Sequence, residues 1–136
     1  MLRKLGCLLI ALSILMVTVN MCMAIEPRAS EIIAYRSIEK TALGDGAVKF
    51  AQRIVTYGPS DKIGFNEIRV EEYYSNSWRT VKTVTSKYGY DVGSYSYAVT
   101  YDGVAGRQYR VFVEYYAEDG EISDTKTTTS TSITAS

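Results

Sequence analysis

The sequence has no histidine and only two cysteines among its 136 residues. Without histidine, the chain lacks the usual proton shuttle near neutral pH and the commonest metal ligand in proteins. Both cysteines, Cys7 and Cys22, lie close to the N-terminus, so the rest of the chain contains no disulfide, thiol nucleophile or thiolate ligand. A zinc site would have to use carboxylates alone, which structural zinc sites do not do. We therefore expect no metal, no cofactor and no enzyme activity.

Two neighbouring pairs of reactive side chains, Glu71-Glu72 and Ser86-Lys87, do not change this expectation. Successive side chains of a strand point to opposite faces of the sheet, so the members of each pair are separated. Catalytic carboxylates, by contrast, face each other across a cleft. Aspartates beside glycine, such as Asp45 and Asp119, are typical of turns, and no stretch alternates acids as a calcium loop does.

The first 24 residues are typical of a secretory signal peptide. The chain begins with a positive Arg3-Lys4 pair, continues with an apolar run over 5–19, and places small residues at the cleavage positions in Cys22-Met23-Ala24. Asn20 interrupts the run before it reaches the roughly 20 apolar residues that a membrane span needs. A retained N-terminal anchor is the alternative. We expect cleavage after residue 24, secretion, and no membrane attachment afterwards.

The chain after the signal peptide has the size of one domain, about 112 residues. It carries 13 basic residues against 15 acidic ones once Arg3 and Lys4 are removed. Nucleic-acid binding requires a basic stripe, so we expect no nucleic-acid partner. Residues 25–31 are predicted to be a flexible lead-in and residues 32–136 to form the domain.

Residues 32–136 are predicted to be all-β. β-Branched and aromatic residues dominate, and Gly, Asp and Asn recur about every ten residues, which is typical of an antiparallel β-sandwich. The pattern predicts seven strands, at about 32–41, 47–57, 65–74, 78–85, 95–101, 107–117 and 122–133. Residues 58–61 and 87–94 are predicted turns or loops, and 122–133 is predicted to be an edge strand.

The strand at 107–117 has two distinct faces. Its predicted inner face carries Tyr109, Val111, Val113 and Tyr115, and its outer face includes Phe112 and Tyr116. A two-residue Asp119-Gly120 turn after it would point two charges of the next strand into the core. A three-residue loop at 118–120 would instead place Val113 opposite Thr125, and Gly120 can supply the left-handed residue that such a loop needs. We predict the longer loop.

A tyrosine corner is suggested by the segment YAVTYDGVAGRQYRVFV, residues 97–113. It resembles the E-to-F corner of fibronectin type III domains, and residues 68–81 resemble strand C, its hairpin and strand C′ of that family. The resemblance implies a fibronectin type III-like or immunoglobulin-like sandwich. In it, Tyr109 would bond to the backbone a few residues upstream, and Val104 would lie beneath the corner. The core tryptophan of strand B is replaced here by Phe50 and Ile54.

The whole chain also resembles small secreted proteins of Gram-positive bacteria that form a domain-of-unknown-function family. The signal peptide, the EPRAS sequence at 26–30, the DKIG motif at 61–64 and the aromatic-rich later strands carry this likeness. It implies a habitat and no activity.

The aromatic residues are the informative excess, with 12 Tyr, 3 Phe and 1 Trp. Two sets are candidate binding residues. The first is Tyr73, Phe112 and Tyr116, which would form an exposed strip if strands C and F are neighbours. The second is Trp78, Tyr88 and Tyr90, on or near the predicted loop at 87–94. The alternative is that these side chains only stabilise a solvated sheet through cross-strand pairs.

These residues predict a secreted, non-catalytic binding or interaction module. Its partner would be a protein, contacted by the first set. A carbohydrate-binding or cell-wall-binding module, in which the second set stacks on sugar rings, is the alternative. A small secreted toxin or inhibitor is a further alternative, supported only by size and export.

Overall fold

Residues 31–136 of the computed structural model form antiparallel β-strands and contain no helix. The strands are β1 (Ile33–Gly44), β2 (Ala47–Tyr74), β3 (Ser77–Asp102), β4 (Gln108–Asp119), β5 (Ile122–Thr129) and β6 (Ile133–Thr134). The all-β, antiparallel prediction is confirmed. The predicted signal peptide and residues 25–30 of the predicted lead-in lie outside the described residues.

Strands β2 and β3 are far longer than predicted, at 28 and 26 residues. Residues 58–61 and 87–94, predicted as turns or loops, lie inside them, so those predictions were wrong. Gly58 and Pro59 mark a bend instead, because the β2–β3 pairing is interrupted between Val55 and Ser60 and then resumes. In β3, positive φ angles of 56° at Ser86 and 55° at Asp91 accommodate irregularities without ending the strand.

The bend divides the sheet into two halves. In the first, β1 pairs with residues 47–55 of β2, which pair with 94–102 of β3. In the second, residues 60–74 of β2 lie between 77–92 of β3 and β4, and β4 also pairs with β5 and β6. We call these the β1 half and the β4 half. Strands β2 and β3 run through both halves, and the sheet curls so that the inner side chains of the two halves meet.

The inner side chains of the two halves form one core. Phe65 of the β4 half lies 5.9 Å from Tyr95 of the β1 half and 5.5 Å from Tyr115, measured between ring centroids. The rings of Tyr101 and Tyr109 meet in the same way at 5.7 Å. On β4, the odd-numbered residues from 109 to 117 are completely buried. The even-numbered residues from 110 to 118 are partly exposed to solvent. The predicted two faces of this strand are confirmed.

The β4–β5 hairpin has a different register from the one predicted. Asp119 lies opposite Ile122 across a Gly120-Glu121 turn, and Val113 therefore lies opposite Thr128. Both loops considered above were wrong, and Asp124 and Lys126 share the inner side with the buried residues of β4. The Asp124 carboxylate accepts hydrogen bonds from the amides of residues 32 and 33, at 3.2 and 3.1 Å. These bonds offset the desolvation cost of the carboxylate.

The end of the chain does not form one continuous edge strand. β5 ends at residue 129, where the Ser130 amide donates to the Val111 carbonyl at 2.8 Å and the Ser130 hydroxyl accepts from the Val111 amide at 3.0 Å. The chain then returns to β4 as β6, with Ile133 opposite Tyr109. The predicted strand at 122–133 is thus two short strands separated by a serine contact.

Candidate functional site

The outer side of the β4 half brings together all six aromatic residues predicted for binding. They are Tyr73, Trp78, Tyr88, Tyr90, Phe112 and Tyr116. Residues that pair directly across neighbouring strands project from the same side of a sheet. Gly64 pairs with Tyr88 on one side and Tyr116 on the other, and Lys62 pairs with Tyr90. Further along, Tyr73 pairs with Trp78. We call this surface the aromatic face.

The two predicted sets therefore form one surface instead of two. Tyr88 and Tyr90 were predicted in a loop, but they lie in β3 and belong to the sheet. A bulge between Phe65 and Glu67 keeps the apolar residues before and after it on the inner side of β2. Ile63 and Phe65 before the bulge and Ile68 after it are all fully buried, although their numbers change parity. This parity change was the sequence signal that could have located the bulge.

Three cationic side chains lie over rings of the aromatic face. The Arg69 guanidinium lies 4.1 Å from the Phe112 ring centroid, and the Arg110 guanidinium lies 4.2 Å from the Trp78 ring. The Lys62 ammonium lies 4.3 Å from the ring of Tyr88. Cation–π contacts at exposed positions contribute about 0.5–1 kcal/mol each. The rings are thus held in place and are not loose surface side chains.

The cations differ in their acidic neighbours. Arg69 pairs with Glu67 at 3.0 Å, and Arg110 pairs with Glu71 at 2.8 Å. Lys62 has no carboxylate within 4.0 Å among residues 31–136. Its other contact is the Tyr116 ring, 5.6 Å away.

Exposure also varies across the aromatic face. Tyr90 is 62% exposed and Tyr73 is 39% exposed. The remaining four rings are half-buried. Phe112 and Tyr116 were expected to project freely into water, but Arg69 and Lys62 lie over their rings.

The hydroxyl groups of two tyrosines on the aromatic face have partners within the protein. Tyr88 donates to the Asn66 side-chain oxygen, and Tyr116 donates to the Glu118 carboxylate at 2.6 Å. The hydrogen bond to Glu118, aided by partial burial, raises the pKa of Tyr116 above its ordinary value. The edge-to-face rings of Tyr88 and Tyr116 lie 6.1 Å apart.

A buried charged cluster lies at the Tyr109 corner. The Tyr109 hydroxyl accepts a hydrogen bond from the Val104 amide at 2.8 Å and donates one to the Glu72 carboxylate at 2.6 Å. The first bond has the partners that the fibronectin type III resemblance implies. Val104 itself is 48% exposed, so its expected position beneath the corner was wrong. Glu72 also binds Arg79 at 2.5 Å and Arg107 at 3.3 Å.

The charges in this cluster are mutually stabilised. Burial raises the pKa of Glu72, but the hydrogen bonds from Tyr109 and Arg79 and the charge of Arg107 outweigh it, so the pKa lies below its ordinary value. Burial and the bond to Glu72 raise the pKa of Tyr109. Sequence reasoning missed this buried acid, although Ile68, Val70 and Glu72 alternate on one side of β2 and so share the inner face. Its surroundings give it a structural role.

Glu71 and Glu72 do point to opposite sides of the sheet, toward Arg110 and Tyr109 respectively. In the described part of the chain, no group of three acidic side chains is placed to hold a metal ion. Residues 31–136 also contain no helix with the length and hydropathy needed to cross a membrane.

Comparison with known proteins gives little information about this chain. No family model matches the sequence, and no curated protein matches it. Among solved structures, the chain is similar to Spo0M, a sporulation control protein from Bacillus subtilis, with a TM-score of 0.34 and 13% sequence identity. The similarity covers 74% of this chain and 49% of the Spo0M chain, so it spans about half of that protein. At this level the likeness carries no argument about function.

Proposed function

We propose that the protein is a non-catalytic binding module that contacts a protein partner through the aromatic face. The supporting observation is that six aromatic and three cationic side chains share one side of the β4 half. Protein interfaces are enriched in Tyr, Trp, Phe and Arg, and their strongest contacts come from Trp, Tyr and Arg. The rings are also held by neighbouring cations, which reduces the entropy lost when a partner binds.

We further propose that this module is secreted and has a fibronectin type III-like sandwich fold. The predicted signal peptide supports export. The β2–β3 hairpin corresponds to the C-to-C′ hairpin of that family, and the end of β3 with β4 corresponds to the E-to-F corner. The hydrogen bond between the Val104 amide and the Tyr109 hydroxyl supports this correspondence.

Binding to carbohydrate or cell-wall glycan is the second candidate. Tyr90 favours it, because its ring is 62% exposed and could stack on a sugar. Against it, a sugar needs an open ring face, and cations lie over the rings of Trp78 and Tyr88. Protein contact is therefore the better-supported proposal.

The test is affinity capture from culture supernatant with matched variants. Tyr73→Ser combined with Phe112→Ser alters the aromatic face. Tyr35→Ser combined with Tyr57→Ser is the control, because these tyrosines are 57% and 75% exposed and lie outside that face. We expect wild type and control to recover the same protein. The aromatic-face variant should bind it at least about tenfold more weakly, which corresponds to about 1.4 kcal/mol of binding free energy.

Equal recovery by all three proteins would reject the proposal, provided that circular dichroism shows each to be folded. A parallel experiment measures retention on insoluble wall polysaccharide, with Tyr90→Ala as the variant. Retention by wild type that is lost in Tyr90→Ala would favour the glycan alternative.

A further inference from the structure

Tyr88 and Tyr116 form a cage-like pair over Gly64. They lie on the two strands that flank Gly64, and strands two apart are separated by about 9.5 Å. Their ring centroids are nevertheless only 6.1 Å apart, so the rings lean toward each other above the glycine. A side chain at Gly64 is not tolerated, because a Cβ would lie 2.0 Å from the Lys87 carbonyl oxygen.

The pair encloses a cation, the Lys62 ammonium, at 4.3 Å from one ring centroid and 5.6 Å from the other. Aromatic rings arranged around a cation are a general means of binding ammonium groups. Besides their contacts with Lys62, both rings are fixed by hydrogen bonds, because Tyr88 is bonded to Asn66 and Tyr116 to Glu118. The cage is therefore preorganised and would persist if Lys62 moved away.

Lys62 is also the cation on the aromatic face that is held least firmly. Arg69 and Arg110 each have a carboxylate partner within 3.0 Å, whereas Lys62 has none within 4.0 Å in the described part of the chain. Two acidic residues of β4 without an ion pair among residues 31–136 are also on this side of the sheet: Glu118 is opposite Lys62 in the strand register, and Glu114 is opposite Glu67. A negative environment favours a second cation as a ligand.

We propose that Tyr88 and Tyr116 bind the ammonium group of a lysine side chain on the protein partner. Lys62 occupies this cage in the free protein and competes with that lysine. The choice of a lysine rests on the proposed function, which supplies a protein partner. The partner must therefore present a lysine side chain to the cage, and Lys62 lowers the affinity for that lysine.

The first experiment titrates Nα-acetyl-lysine methylamide into the protein and follows the tyrosine ring signals by NMR. Acetyl-norleucine methylamide is the uncharged control ligand. In Lys62→Gln the competing ammonium is gone, so we expect the lysine probe to bind about fivefold to tenfold more tightly than in wild type, matching a cation–π contact of about 1 kcal/mol. Lys62→Arg should stay near wild type, and adding Tyr88→Leu to Lys62→Gln should abolish the gain.

The proposal is overturned if Lys62→Gln binds the lysine probe no better than wild type, or if norleucine binds equally well. Thermal unfolding of each variant ensures that the comparison concerns folded protein. The proposed function is judged separately, because its test changes Tyr73 and Phe112, which lie outside the cage. If capture depends on those two residues but the lysine probe does not respond to Lys62→Gln, the binding module stands and the cage does not.

Discussion

The two halves of the sheet share one core but have very different outer surfaces. The β4 half carries the aromatic face. The outer side of the β1 half carries mostly small or hydrophilic residues: Ser37, Glu39, Thr41, Lys49, Ala51, Arg53, Ser94, Ser96, Ala98 and Thr100. Tyr35 and Leu43 of β1 are the large apolar exceptions, at 57% and 51% exposed. The apolar residues on the buried side of a strand fix its register, and the residues on the solvent side can vary. Most outward positions of the β1 half are thus occupied without aromatic rings, whereas the β4 half carries six of them.

The largest expected difference in stability is between variants of two adjacent residues of β2 that point to opposite sides of the sheet. Glu72 is 2% exposed and its removal leaves Tyr109 and two arginines without their shared partner. Glu72→Ala should lower the free energy of unfolding by about 2–3 kcal/mol, because the buried Tyr109 hydroxyl loses its acceptor while the two arginines stay partly solvated. Glu71→Ala, on the aromatic face, should lower it by less than about 1 kcal/mol. Urea unfolding measures both values, and equal losses would remove the contrast between the inner and outer sides.

The pH dependence of stability should follow the same buried cluster. Because the folded-state pKa of Glu72 is lowered, its contribution is present above the unfolded value of 4.5 and is lost as the pH falls through the folded value. Unfolding measured in acid should show the gap between wild type and Glu72→Gln closing. A constant gap would mean that the carboxylate charge is not what stabilises the corner.

The buried Tyr115 should ionise late in an alkaline titration. Burial raises the pKa of Tyr115 to about 12, against the opposing charge of Arg36. Its contribution to stability is therefore complete below the ordinary value of 10 and is lost as the pH rises through about 12. Ultraviolet titration should show a late-ionising signal that Tyr115→Phe removes. An unchanged absorbance above about pH 11 in Tyr115→Phe would contradict the burial assigned to Tyr115.

A buried polar side chain offers a gain in stability within the β1 half. Neither polar atom of the Gln52 side chain has a hydrogen-bond partner among the described residues, and Gln52 is 1% exposed. Gln52→Leu should raise the free energy of unfolding by about 1–2 kcal/mol, because it removes unpaired buried polar atoms while keeping the volume. Unfolding by urea measures this, with Gln52→Ala as a cavity-forming control that should be destabilised. A loss in Gln52→Leu would show that the amide has a stabilising partner.

The smallest effect is expected where the outer surfaces are compared directly. Phe112→Ser should cost about 1 kcal/mol, mostly from the lost contact with Arg69. Tyr35→Ser, on the outer side of the β1 half, should cost no more than about 0.5 kcal/mol. Thermal unfolding compares the two. A loss of several kcal/mol in Phe112→Ser would mean that the aromatic face is needed for folding.

Local alternation was enough to predict the inner and outer sides of β4, because a buried strand requires an apolar residue at every second position. It also selected Tyr73, Phe112 and Tyr116 as outward residues, whereas Tyr88 and Tyr90 were chosen from a predicted loop that is part of β3. The hairpin register was missed because Asp124 is stabilised by the amides of Ile32 and Ile33, more than 90 residues away in sequence. Short-range patterns contain no information about such a partner.

The union of the two aromatic sets could not be predicted for a related reason. Gly58 and Pro59 have the composition of a turn, and only the pairing across the sheet shows that β2 bends there and continues. The bulge between Phe65 and Glu67 then decides which side Lys62 and Gly64 occupy. Both features depend on neighbouring strands.

The most direct test of the aromatic face as the binding surface is amide hydrogen exchange of the protein with and without its captured partner. The account predicts that added protection is confined to residues 60–74 and 77–92 and to β4, with the β1 half unchanged. Protection centred on β1 and residues 47–55, with the aromatic face exchanging as in the free protein, would contradict it.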